Sequence, residues 1–254
     1  MRHGVYFLHD GNIIIRVEDS VFRIHRYFLT RESQHFRSLF NVPYRDPPGT
    51  SEANPVVLDD VTSEAFADFL WIFYNDKYSI YTATPEKWQR ILALAQKWKF
   101  GQVEELCVRE LEKLTIPAVE KIKIYQDFSL NPELLYDSYV ELITRPEPLE
   151  LEEGMRLEPL TSLKIARARE LRIARVLGPD RATSLFGPAA LQSQEPETRS
   201  VIRDVFELQG PAPAPPTATA EQNPASDDHV DEVPPTRRQP RRGGSRGTAS
   251  DIFR

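Results

Sequence analysis

Cysteine is almost absent. Cys107 is the single one in 254 residues, so no disulfide can close within the chain, and a reducing compartment is expected. Long apolar runs are missing as well. The opening MRHGVYFLHDG has no signal-peptide core, and no stretch approaches the roughly 18 apolar residues of a membrane span. Cytoplasm, nucleus or both are the expected locations, with no membrane contact. Positive charge is not in excess: the formal net charge is -6 and the pI about 5.5, which argues against a dedicated nucleic-acid surface. No glycine-rich loop follows a strand, so a phosphate cradle is not expected. His25 and His35 stand too far apart, and Cys107 too alone, for a zinc site. Ser33 lacks the glycine elbow of a hydrolase nucleophile. Glu104-Glu105, Glu150 and Glu152-Glu153 fall on helical patterns, as solvated faces or capping groups. The chain is expected to be no enzyme and to hold no cofactor or metal.

What is present changes character near Gln209. The segment 209–254 carries eight of the 21 prolines and almost no large apolar residue before Ile252 and Phe253. Such a chain cannot bury enough surface to offset the entropy of ordering, so it is expected to be a disordered tail. Within it PAPAPPTATA reads as an extended spacer, followed by an acidic patch (DDHVDE) and a basic one (RRQPRRGGSRG). Arg237, Arg238, Arg241, Arg242 and Arg246 make the basic patch. It is a candidate import signal or weak RNA contact, or simply a charged stretch that keeps the chain in solution.

The remainder divides into a mixed part and a helical part. Residues 5–8, 13–17, 21–24 and 56–58 are short, β-branched and aromatic, as strands are. Glu18-Asp19-Ser20 fits a tight hairpin between the second and third. Beyond Asp60 the patterns are helical. Thr62 or Ser63 can cap a helix running to Phe73 with Phe66, Phe69 and Leu70 inward. Thr84-Pro85-Glu86 is a strong start signal, a cap followed by a first-turn proline and an acid. Another helix follows Gly101. Asn131-Pro132-Glu133 repeats the start signal, and Pro159 opens a long basic helix expected to stop at Gly178-Pro179.

The stretch FRIHRYFLTRESQHFRSLF mixes reactive side chains with core formers. Phe22 and Ile24 alternate as strand residues; from His25 the period becomes helical, with Phe28 and Leu29 inward. Ser33 can cap a second helix that buries Phe36, Leu39 and Phe40. His25 then stands at a strand-to-helix corner, where a half-buried imidazole bonded to backbone is the expected arrangement.

Taken together, Asn12-Ile-Ile-Ile-Arg-Val, Phe22-x-x-His25-Arg26, Leu29, Ser33, Phe36 and Leu39-Phe40 resemble the opening of a BTB/POZ domain. The likeness continues through Val57-Leu58-Asp59-Asp60-Val61, Ala65-Phe66, Leu70 and Tyr74 to Leu92–Trp98 and Leu106-Cys107. The helical part, with RPEPLELEEG and KIARARE, is similar to the C-terminal region of BTB proteins abundant in mushroom-forming fungi. The resemblance implies an α+β fold: a BTB/POZ domain at 5–115, built as a small mixed β-sheet packed with α-helices. An all-α C-terminal extension at 116–208 and the tail at 209–254 follow.

The resemblance further implies a protein-interaction module, an adaptor or scaffold that commonly forms homo-oligomers and sometimes recruits cullin ubiquitin ligases or transcriptional regulators. The family's cullin-docking surface would fall on the helices around Val61–Tyr74 and Trp88–Trp98 and those following. In this frame Asn12, Phe22, His25, Arg26, Leu29, Ser33, Phe36 and Phe40 are the structural signature. Asn12 stands where many animal members have Asp, and about ten residues precede the first core strand, so a helix-swapped dimer is not assumed. No kelch, MATH or zinc-finger module follows, which leaves partner reading to the helical extension. Tyr6, Phe7 and Leu8, on an apolar strand at a sheet edge, and Tyr27, facing outward from the corner helix, form the candidate self-association face. The alternative is that the strand pairs within the monomer and leaves only Tyr27 exposed.

Overall fold

Ile13–Val17 (β2) and Ser20–Ile24 (β3) form an antiparallel hairpin in a computed structural model that describes residues 1–41, 47–77, 80–181 and 195–208. All the described residues belong to the compact unit Met1–Ala212. Glu18 makes the turn with a left-handed φ of 50°. Its carboxylate accepts the Ser63 amide at 2.8 Å, while the Ser63 hydroxyl donates to the Val17 carbonyl at 2.8 Å. The hairpin tip is thereby tied to the start of a helix 45 residues on. Val56–Leu58 (β4) lies parallel to β2, and Arg2–Phe7 (β1) parallel to β3, giving the order β1-β3-β2-β4. Ile13, Ile14, Ile15 and Val17 are all buried, as a central strand covered on both faces requires.

The first strand departs from its expected form. It begins at Arg2 rather than Val5 and ends before Leu8. Arg2 pairs with Val21 and Phe7 with Arg23, so five steps along β1 match only two along β3. The surplus residues bulge out of the ladder. Just beyond, Gly11 passes so close to β3 that a Cβ would lie 2.8 Å from the backbone at Arg23 and Ile24; only glycine fits that crossing.

The helices are Arg26–Glu32 (α1), Gln34–Phe40 (α2), Ser63–Trp71 (α3), Pro85–Trp98 (α4), Gly101–Leu111 (α5) and Ala118–Asp127 (α6), then Tyr136–Thr144 (α7), Leu151–Arg156 (α8), Pro159–Arg181 (α9) and Glu195–Phe206 (α10). Thr62 and Thr84 cap α3 and α4 as their sequences indicate, accepting the amides of Ala65 and Lys87. Asn131 accepts the Glu133 amide, but the turn it opens is a single 3₁₀ turn leading into α7. Two ends differ from expectation. Helix α3 stops at Trp71, short of Phe73, and α9 runs through Gly178-Pro179 to Arg181. A proline removes one amide from the ladder without ending a helix whose earlier turns are held elsewhere. Those turns are held by Arg169, Arg172 and Arg175, which bond to α7, the loop after it and α10. Helices α6, α8 and α10 were not read individually from sequence.

At the centre, Trp98 meets Phe36, Phe66 and Phe69 with ring centroids 5.0, 5.9 and 5.2 Å away. Helix α4 ends there in a left-handed Lys99 (φ 60°), with the Phe100 amide donating back to the Ala95 carbonyl at 2.8 Å; this closure satisfies a last-turn carbonyl. The Trp98 carbonyl is satisfied differently. Fully buried Ser33, between α1 and α2, donates its hydroxyl to it at 2.6 Å and accepts the Phe36 amide at 3.4 Å. Ser33→Ala is expected to lower stability by about 1–3 kcal/mol, because a buried carbonyl loses its donor and α2 loses its cap. Urea denaturation checks this, with an unchanged slope and a lower midpoint expected.

Candidate functional site

The corner between β3 and α1 gathers polar contacts from several separated segments. A helix start leaves amides without intrahelical partners, and His25, at the cap position, supplies no side-chain acceptor. Asn12 supplies it from the preceding loop, accepting the Arg26 amide through Oδ1 at 2.8 Å. Arg26 in turn donates to the Phe40 carbonyl at 3.1 Å, with its guanidinium 5.4 Å from the Phe40 ring.

His25 itself is bonded differently from expectation. Its imidazole has two side-chain partners rather than backbone ones: Nδ1 lies 3.0 Å from the Tyr74 hydroxyl, and Nε2 3.2 Å from Asp10 Oδ2. The Tyr74 oxygen also accepts the His25 amide at 2.9 Å. A Tyr74 hydroxyl donating to Nδ1 and an Nε2 proton facing Asp10 satisfy all three groups at once.

Asp10–His25–Tyr74 has the outline of an acid–base relay, but its parts are set for structure. Burial pushes the Tyr74 phenol up, away from easy ionisation. Its ring is walled by Tyr6 and Phe28. Asp10 is exposed, and its own amide, then His25, hold its carboxyl below the usual range. Burial likewise raises the Cys107 thiol, which makes it a poor nucleophile. Among the described residues, no three His, Cys, Asp or Glu side chains converge to hold a metal ion, and no helix is long and apolar enough to cross a membrane.

The signature residues form a frame. Phe22, Leu29, Ser33, Phe36 and Phe40 are buried, His25 and Arg26 half-buried, and Asn12 exposed while it caps α1. The candidate self-association residues scatter. Tyr6 turns inward, 8% exposed, because the β1 bulge breaks the strand's alternation; its burial pushes the phenol up to about 12. It therefore offers no ring to a partner. Phe7 and Leu8 are half-buried, with the Arg2 guanidinium 4.6 Å over the Phe7 ring. Tyr27 faces solvent at 63% exposure. Arg237, Arg238, Arg241, Arg242 and Arg246 lie outside the described residues.

Two surfaces escaped the sequence reading. A groove of about 280 Å³ opens between α1, the end of α3 and α5, lined by Phe28, Arg31, Phe73, Tyr81, Val103 and Leu106, among others. Phe28 and Phe73 stack along it at 5.5 Å, and Arg31 and Glu32 pair at its rim at 2.8 Å. The second surface is on the extension, where Leu151, Met155, Leu160 and Leu163 are each more than 60% exposed. The i, i+4 and i, i+3 spacings there could have marked these stripes, but not their exposure.

The BTB/POZ domain family matches the chain over residues 8–115. This segment is a BTB/POZ domain. It covers the sheet from Leu8 onward, the corner, the groove and helices α1 to α5. BTB/POZ domains mediate protein–protein interaction and oligomerisation and are generally non-enzymatic, which fits a corner whose reactive groups are committed to one another.

Tyr74→Phe separates the structural role of the corner from a chemical one. Loss of the hydroxyl leaves the His25 amide and Nδ1 without their partner, so stability is expected to fall by about 1–3 kcal/mol. Thermal unfolding followed by circular dichroism, with an unchanged folded-state spectrum, is the measurement.

Proposed function

We infer that this chain is a non-enzymatic adaptor or scaffold that works by holding protein partners. The observation that carries the reading is the aromatic-floored groove of the BTB/POZ domain, concave and lined by both apolar and charged side chains with an ion pair at its rim, which suits a side chain or short helix of another protein. The exposed apolar face of α8 and α9 supports a second docking role for the extension, whose kinship with mushroom-type BTB proteins forms part of this reading. Self-association through the exposed Tyr27 is the proposed oligomeric contact.

A second reading, a cullin ubiquitin-ligase adaptor, is favoured by the position of the groove. Ile72 and Phe73, just past the end of α3, and the α5 residues Gln102, Val103 and Leu106 lie in the segments where the family's cullin surface is expected. Two exposed positions divide these readings. Tyr27→Glu is expected to convert a dimer into a folded monomer in sedimentation at micromolar concentration; a monomeric wild-type protein would rule out self-association by this face. Gln102→Trp, which fills the groove from its rim, is expected to abolish cullin capture in a quantitative pull-down. Wild-type protein that captures no cullin leaves a plain scaffold.

The third element is the basic tail, proposed to bias the protein towards the nucleus and so towards a regulatory role in transcription. Deletion of residues 236–247 is expected to raise the cytoplasmic fraction by imaging. An unchanged distribution would reduce the cluster to a solubility feature.

A further inference from the structure

His3 sits where β1 leaves its ladder. Its Nδ1 accepts two backbone amides at once, Val5 at 3.3 Å and Tyr6 at 3.1 Å. Its ring lies flat on Phe22, with centroids 4.5 Å apart and planes 20° from parallel, and stacks on Tyr6 at 5.3 Å. On either side the strand is fixed to β3: the Val21 amide donates to the Met1 carbonyl at 2.7 Å, and the Leu8 amide to the Arg23 carbonyl at 2.8 Å. The imidazole thus supplies acceptors for amides that the bulge has taken out of the sheet. It can do so only while Nδ1 keeps its lone pair, that is, as the neutral ring with its proton on Nε2.

We propose that His3 is a pH-sensitive latch on the β1 bulge, closed when the imidazole is neutral and released when it is protonated. The cation has no acceptor nitrogen, so both amides lose their partner in one step. The Val5 residue is 69% exposed and its amide rehydrates; the Tyr6 residue is 8% exposed, so its amide must find water by local opening. Release therefore loosens residues 3–6, between two anchors that do not titrate, and unmasks the backbone of the sheet's edge strand.

The charges around the ring do not oppose this. From β3 the ring meets Phe22, and Arg23 beside it donates to the Gly11 carbonyl. On β1, Arg2 is engaged by Glu52. From α3, Asp68 acts on Tyr6 but is itself bound by Lys87 and Arg90; Tyr74 lies beyond the Tyr6 ring. Burial against Phe22 and its neighbours disfavours the cation and lowers the imidazole below its ordinary value. The sign follows: the latch adds stability above the ordinary imidazole range, and that contribution is lost as pH falls through the folded-state value. This holds whether or not the protein self-associates.

The test is nuclear magnetic resonance of the full-length, ¹⁵N-labelled chain across an acid titration, with His3→Gln and His3→Ala alongside. The expected result is a neutral His3 protonated on Nε2, with the Val5 and Tyr6 amide signals moving at the midpoint of the ring, below that of a free imidazole. In His3→Gln the side-chain oxygen still accepts but does not titrate, so those shifts are expected to vanish. His3→Ala is expected to show the released positions at every pH. A ring that titrates while both amides stay still would overturn the latch, as would an Nδ1-protonated neutral form. Identical amide titration in His3→Gln would also overturn it, by assigning the effect to another group.

Discussion

The Trp98 carbonyl and indole hold two layers of the domain in one place. The indole packs among Phe36, Phe66 and Phe69, which come from the corner helices and from α3. The carbonyl, at the end of α4, takes the hydroxyl of a serine 65 residues earlier in the chain. Position and orientation are therefore fixed together: the rings exclude water, and one directed bond sets the angle at which α1 and α2 meet α4. Everything on the outer side of α1 inherits that angle. Phe28 can reach Phe73 to floor the groove, and Arg31 can lie with its guanidinium 5.9 Å from the Phe73 ring, because the hinge at Ser33 does not swing.

The corner shows a second economy. His25, Tyr74, Asp10 and Asn12 come from β3, the turn after α3 and the loop before β2, and each answers a need created by another. A histidine that follows a strand and starts a helix leaves amides without partners, and the tyrosine and asparagine accept them. The result resembles a catalytic relay in composition only. Each of its donors and acceptors is engaged by a neighbour in the corner.

Local signals were legible and distant ones were not. Thr62, Thr84-Pro85 and the β-branched run Ile13–Val17 dictate their elements from a few neighbouring residues, and the structure follows them. The inward turn of Tyr6 could not be read, because it depends on a bulge that shifts the parity of β1; within that bulge His3 stacks on Phe22, a contact without periodicity. The passage of α9 through Gly178-Pro179 rests on arginines that bond to α7 and α10, and those helices are near only in the fold. Helix α10 did carry a readable pattern, with Pro196 and Glu197 at its start and Val201, Ile202 and Val205 spaced to face inward. The groove draws on three separated segments, so no stretch of sequence announces it. The frame residues of the BTB/POZ domain were the easiest to find, since packing constrains them all together.

One buried apolar cluster runs without interruption from Tyr6 to Leu208. Leu111 and Ala118, at the seam between the BTB/POZ domain and the extension, both belong to it, as do Tyr139, Ile165 and Val201 farther on. Among the described residues, the buried cluster links the elements that carry the groove to those that carry the outer face of α8 and α9. A ligand that reached both would meet them at a set distance, and binding at the first would place it beside the second without the dilution a loose linker brings. With both surfaces occupied as proposed, the molecule would act as a gauge, selecting partners by their span as well as by their chemistry.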